Sequence, residues 1–149
     1  MEIEKATSSD LEEILALQKL SFRSEAELYN NFNIPPMVQT LKETQDDFKR
    51  QLILKVTKDG KIIGSIRAFE KDGTCYLARL MVHPDFQNLG IGTKLLVEME
   101  KLFDTCKRFE LYTGYKSEKN IRLYKKVGYR IFQNKPVEQA YLIYMEKII

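Results

Sequence analysis

Leu80-Met81-Val82-His83-Pro84-Asp85-Phe86-Gln87-Asn88-Leu89-Gly90-Ile91-Gly92 is the stretch on which the reading of this chain turns. An apolar run meets a proline and then a glycine-rich turn. After the turn, Ile91, Leu95, Leu96, Met99, Leu102 and Phe103 recur at the spacing of one helical face. A strand feeding such a turn into a helix is a device for holding phosphate. The first turn of a helix has backbone N–H groups without intrahelical partners, and the aligned peptide dipoles add about half a unit of positive charge there. Gly90 and Gly92 carry no Cβ to keep a ligand off the backbone, and Gln87 and Thr93 offer side-chain donors.

Two glycines also make an ordinary tight turn, so the surroundings must decide. A Walker A loop needs Gly-Lys-Ser/Thr, and here the order is Gly92-Thr93-Lys94. A dinucleotide fingerprint wants a third glycine inside a parallel βαβ unit. The segments upstream read instead as an antiparallel meander: Leu52–Thr57, Ile62–Phe69 and Thr74–Val82 are strand-like, divided by Asp59-Gly60 and Asp72-Gly73. Asp-Gly between such runs is a hairpin signal, because a primed turn needs positive φ at both central residues. Gly64, inside the second run, marks a bulge or a close approach.

Toward the N-terminus, residues 2–6 read as a short strand, and Ser9 and Glu12 stand at capping-box spacing. Leu11, Ile14, Leu15 and Gln18 then predict a helix to about Leu20. Residues 23–37 read as irregular, with Pro35-Pro36 opposing a helix, and a more polar helix is expected from Val38 to Arg50. Downstream, Phe109–Thr113 predicts a strand, and Ser117 to about Val127 a helix stopped by Gly128. Tyr129–Phe132 and Ala140–Glu146 predict the closing strands. The order is β-α-α-β-β-β-α-β-α-β-β, a mixed sheet covered by helices.

The bulk composition fits one domain spanning residues 1–149. At 149 residues and 44% hydrophobic, the chain can bury a core without staples. Its net charge of +3 argues against a general nucleic-acid binder, which concentrates basic residues on one face. Cys75 and Cys106 form no Cys-x-x-Cys pair and do not complete a zinc site with His83, so two reduced thiols and no metal are expected. Met1-Glu2-Ile3-Glu4 lacks a signal-peptide core, and no apolar run reaches membrane-spanning length. A soluble, cytoplasmic protein is the expectation.

The quoted stretch resembles the acyl-CoA-binding motif of the GNAT acetyltransferase superfamily, in which an apolar strand and a proline precede Gln/Arg-x-x-Gly-x-Gly/Ala at the start of a helix. Asn120-Ile121-Arg122-Leu123-Tyr124-Lys125-Lys126-Val127-Gly128-Tyr129 resembles that superfamily's second signature, and the element order agrees along the whole chain. The resemblance implies a mixed α/β fold in a single domain, its central, mostly antiparallel sheet of about seven strands flanked by about four helices.

It further implies acetyl-CoA as cosubstrate and an amine as acceptor, joined by direct attack of the amine on the thioester. Backbone groups of Leu80, Met81 and Val82 would face pantetheine. Amides from Gln87, Asn88, Leu89, Gly90, Ile91, Gly92 and Thr93 would hold pyrophosphate, and Asn120 would reach the same cleft. Tyr124 takes the place of the usual general acid. Family members often start the second signature with asparagine where this chain has Ser117, which reads better as a helix cap.

No general base stands out among Glu70, Tyr76, Arg79 and His83: packing for Tyr76, an ion pair for Arg79 and a strand-end cap for His83 are the better explanations, and a water chain to bulk solvent would serve equally well. The acceptor is expected at Phe22–Met37 and at about Gln133–Gln139, including Lys135 and Glu138, with Glu25 and Glu27 as attractors of an amine. Three functions stand open: a small-molecule amine acetyltransferase, a protein or peptide N-acetyltransferase, and a non-catalytic acyl-CoA sensor. Homodimers are common in the superfamily, and no residue here decides between one copy and two.

Overall fold

A computed structural model describes residues 1–137 and 140–149. Seven strands form one sheet in the order β1 (Glu2–Lys5), β2 (Leu52–Lys58), β3 (Lys61–Lys71), β4 (Thr74–Val82), β5 (Arg108–Gly114), β7 (Ala140–Ile148) and β6 (Arg130–Val137). Every neighbouring pair is antiparallel except β4 and β5. The two hairpins of the meander turn where the Asp-Gly pairs predict: Asp59 and Gly60 have φ 51° and 78°, Asp72 and Gly73 51° and 80°.

Four helices of 10 to 12 residues cover the sheet: α1 (Leu11–Ser21), α4 (Leu41–Arg50), α5 (Ile91–Leu102) and α6 (Glu118–Val127). On one face, Leu95, Leu96 and Met99 of α5 pack with Ile66, Cys75, Leu77, Phe109, Leu111 and Met145 into the larger core cluster. On the other, Leu11, Ile14 and Leu17 of α1 meet Ile53, Ile62 and Met81. Leu102, grouped with the core face on spacing alone, is 47% exposed because it ends the helix.

Three local readings change. Residues 23–37 are irregular only at 29–34: α2 (Arg23–Leu28) and α3 (Pro35–Val38) lie on either side. Pro35 and Pro36 occupy the first turn of α3, where the missing N–H breaks no helical bond. The polar helix starts at Leu41 behind Thr40, whose hydroxyl accepts from the Glu43 amide at 3.1 Å. The N-terminal capping box uses Thr7 and Asp10 rather than Ser9 and Glu12: a short 3₁₀ turn at Ser8–Asp10 precedes α1, and the Thr7 amide donates to the Asp10 carboxylate at 2.8 Å.

Gly64 has both features its position suggests. The β2–β3 register slips beside it, and a Cβ there would stand 3.3 Å from Ile91, Leu95 and the Met81 carbonyl. This close approach seats the start of α5 against β3 and β4, which fixes where the glycine-rich turn points.

Candidate active site

β4 and β5 pair only where Thr74, Cys75 and Tyr76 meet Arg108, Phe109 and Glu110. Beyond Tyr76 the two strands diverge, although β4 continues to Val82 and β5 to Gly114. Parallel strands that lose their shared hydrogen bonds leave two edges of unpaired backbone groups. Leu80, Met81 and Val82 belong to the parted length of β4. Its carbonyl at Val82 already accepts from Ser21 Oγ at 3.2 Å and Gln87 Nε2 at 3.1 Å.

At the top of the gap the chain turns through Asn88 (φ 64°) and Gly90 (φ 83°) into α5. Both lie in the left-handed region, which costs a residue with a Cβ about 1 kcal/mol or more. Nothing lies within 4 Å of where a Gly90 Cβ would be, so the turn presents bare backbone to open space. At Gly92 a Cβ would meet the Leu123 side chain of α6 at 3.4 Å, ordinary contact. Among the described residues, no carbonyl outside the helix accepts from the amides of Gln87 through Thr93. These donors are left without a main-chain acceptor around a helix N-terminus, where anions are favoured. Gln87 is not a free side-chain donor, since it is tied to Val82 and, through Oε1, to Lys119 Nζ at 3.3 Å. Lys119, which the sequence did not single out, brings a cation to this rim.

The opposite wall is α6. Tyr124 is buried at 7% exposure between α6 and the sheet, 6.3 Å from the Tyr129 ring. Burial, reinforced by the negative charge of Glu25, pushes its hydroxyl well above the usual tyrosine range. Glu25, on α2, accepts from Ser117 Oγ at 2.6 Å and from Asn120 Nδ2 at 3.2 Å. Asn120 also donates to Thr113 Oγ1 at 3.3 Å, so its amide is held by the protein rather than left reaching into the gap. Ser117 begins α6, but its hydroxyl is spent on Glu25 and Tyr29 and gives the helix no side-chain cap.

Tyr29 completes this link: its hydroxyl accepts from the Lys116 amide at 2.9 Å, and a Cβ on Gly114 would overlap it. Of the loop acids, Glu25 therefore enters the site, whereas Glu27 pairs with Arg23 at the surface. A signal for Glu25 was present only as charge in a segment expected to be loop; the helix that aims it was not foreseen.

Among the residues weighed as bases, Glu70 lies opposite Cys75 at the paired end of the strands, away from the gap. His83 Nδ1 accepts from the Asp85 amide at 3.0 Å and caps a short turn. Tyr76 stacks on Phe69 with centroids 5.3 Å apart. Arg79 departs from its ion-pair expectation: it has φ 54°, and its Nε is buried without a hydrogen-bond partner. It sits where the β3–β4 register slips, in a bulge of β4.

Below the bulge, on the α1–α4 face, a cleft of about 410 Å³ crosses the point where β4 and β5 part. Lys135 Nζ lies 4.8 Å from the centre of the Tyr144 ring, which lines that cleft; Glu138 lies outside the described residues. Among the described residues, no three His, Cys, Asp or Glu side chains gather as metal ligands would. No helix among them is long and apolar enough to cross a membrane.

Residues 11–129 match the model of the Acetyltransferase (GNAT) family. The chain belongs to this family. GNAT proteins are acyl-CoA-dependent N-acyltransferases, and the matched residues span the parted strands, the glycine-rich turn and α6. Two solved structures share the fold over nearly the whole of this chain. A PaiA N-acetyltransferase from Thermoplasma acidophilum, in complex with coenzyme A, is 20% identical with a TM-score of 0.80, covering 99% of this chain and 98% of that one. The ribosomal-protein-S18-alanine N-acetyltransferase of Escherichia coli is 18% identical with a TM-score of 0.81, covering 99% and 93%. The UPF0157 protein YqkA of Bacillus subtilis (strain 168) is 28% identical over 131 residues, which is 88% of this chain but 38% of that protein's length.

Proposed function

We propose that this GNAT chain transfers an acetyl group from acetyl-CoA to a primary amine of a small molecule by direct attack. The observation that carries the reading is the gap between β4 and β5, with unpaired α5 amides at its top and buried Tyr124 on its wall. Amides from Gln87 to Thr93 hold the pyrophosphate. The parted edge of β4 at Leu80, Met81 and Val82 receives pantetheine, and an amide near Met81 or Val82 donates to the carbonyl oxygen as it gains charge.

The amine nitrogen forms its bond to the thioester carbon, and the sulfur leaves with the electron pair of the broken C–S bond. Tyr124 gives that sulfur a proton. Its raised pKa keeps the hydroxyl protonated through and above the ordinary tyrosine value near ~10. The amine must itself be neutral, and an alkylammonium has a reference pKa near ~10.4. Glu25 is the carboxylate that Ser117 and Asn120 hold beside Tyr124, and it is our choice to draw in the ammonium and accept its proton. Asn120 then orients Glu25 rather than touching the cofactor.

A cleft of about 410 Å³ favours a small acceptor over a protein tail, since small-molecule pockets occupy this range. The test mixes the protein with acetyl-CoA and a panel of amines, amino acids, polyamines and short peptides, and follows thiol release. Amine-dependent release is expected, with Tyr124→Phe lowering kcat about 100-fold while acetyl-CoA binding holds. The wild-type rate should climb with pH as the amine deprotonates and show no fall as the pH passes the ordinary tyrosine value. Full activity in Tyr124→Phe would remove the tyrosine from the mechanism; acetyl-CoA binding without release to any amine would favour the sensor.

A further inference from the structure

The floor of the cleft holds more positive charge than the protein neutralises. Arg67 is 0% exposed and reaches three partners: Nη1 donates to Asp47 Oδ2 at 3.0 Å and Gln39 Oε1 at 3.3 Å, and Nη2 to Gln18 Oε1 at 2.8 Å. Its Nε has none. Beside it, the buried Nε of Arg79 is also unpartnered, and Arg79 makes no ion pair or hydrogen bond among the described residues. Burial and the neighbouring Arg79 charge bring the Arg67 pKa down to about 10, which shows that the two guanidiniums feel each other.

The acids nearby are committed elsewhere. Asp47 is shared by Arg67, Gln39 and, at 3.6 Å, Arg50. Glu110 is held by Arg108 at 2.8 Å. Arg79 is half-buried: its Nε lies out of water without an acceptor, on a left-handed residue in a strand bulge, itself a strained backbone state. Two cations that line one cleft, each with a donor that no protein acceptor fills, suit a planar anion such as carboxylate. The walls are apolar: the Phe69–Tyr76 stack and the Tyr112–Tyr144 pair, with centroids 5.3 and 5.6 Å apart.

We infer that this cleft takes an acceptor carrying a carboxylate as well as its amine, an amino-acid-like zwitterion whose carboxylate sits on Arg79 and Arg67. Its apolar body lies between the two aromatic pairs, and its amine points to the gap, because the cleft is lined by Leu77 and Ala78 of β4 and Leu111 of β5 where those strands part. The inference rests on the small-molecule acetyltransferase reading, and it names the class of acceptor.

Its test separates binding from transfer. Calorimetry in the presence of CoA compares N-acetylphenylalanine with N-acetylphenethylamine, which differ only by the carboxylate and have no amine left to react. The wild type should bind the carboxylate ligand about 30-fold more tightly. Arg79→Gln should erase that preference, and Arg79→Lys, with the charge but not the fork, should keep part of it. Equal affinities, a preference for the neutral ligand, or binding of neither in the wild type would overturn the site, whether or not the Arg79 variants fold. So would a preference that survives in folded Arg79→Gln. Failure of thiol release with every amine, beside a carboxylate preference in calorimetry, would sink the transferase reading and leave the site standing.

Discussion

The glycine-rich turn and the cleft over Arg67 and Arg79, the two sites we propose along the gap, are made of different materials. At the turn, the working groups are main-chain amides on a run of consecutive residues, and side chains matter by being absent, as at Gly90. In the cleft, the groups are side chains brought from α1, α4, β3 and β4; Arg67 is held by Gln18 and Asp47, distant in sequence, whereas the Arg79 side chain has no partner among the described residues. A backbone site tolerates most substitutions that leave φ and ψ alone. A site made of buried charge is sensitive to the loss of any one member, because the others are left without compensation.

That contrast can be broken by mutation. The largest effect should come from Asp47→Ala, which strips the buried Arg67 guanidinium of its carboxylate. We expect a loss of about 3 kcal/mol, read as a lower urea midpoint with an unchanged m-value. A loss under about 1 kcal/mol would mean that Arg67 is compensated otherwise. At the turn, Gly90→Ala combines left-handed strain with a methyl in the space before the amides. It should raise the KM for acetyl-CoA about tenfold with a smaller change in kcat.

Gln87→Ala should do least. The side chain is occupied with Val82 and Lys119, so its loss should cost about 1 kcal/mol of stability and shift the KM for acetyl-CoA about twofold at most. A larger KM effect at Gln87 than at Gly90 would reverse the assignment of backbone and side-chain roles at the turn.

The same contrast explains what the sequence disclosed. The Asp-Gly hairpins, the glycine-rich turn and the Gly128 stop are legible because each puts a backbone requirement on one or two adjacent residues, and glycine or aspartate there has few other uses. Tyr124 stands out in the sequence by its place in a local signature, and nothing there announces its burial. The cleft was not legible, since nothing in Gln18, Gln39, Asp47, Arg67 or Arg79 tells which of many polar residues a sheet will gather. Arg79 was weighed only as a base or an ion-pair member; its bulge depends on register against β3, which pattern alone does not set. Helix α3 is hidden because its prolines read as breakers where they serve as starters, and α2, with Glu25, is hidden because six residues are too few to show a helical period.

The short pairing of β4 with β5 also bears on how the molecule holds together. Among the described residues, three from each strand make the only ladder between a four-stranded half and the β5–β7–β6 half, with Tyr29 and Glu25 of α2 adding a second attachment across the gap. A molecule lying along both parted edges would lengthen that seam from within and act as mortar between the halves. Amides along the seam should then exchange slowly in the presence of acetyl-CoA and faster without it, and the gain in stability should grow with the logarithm of cosubstrate concentration.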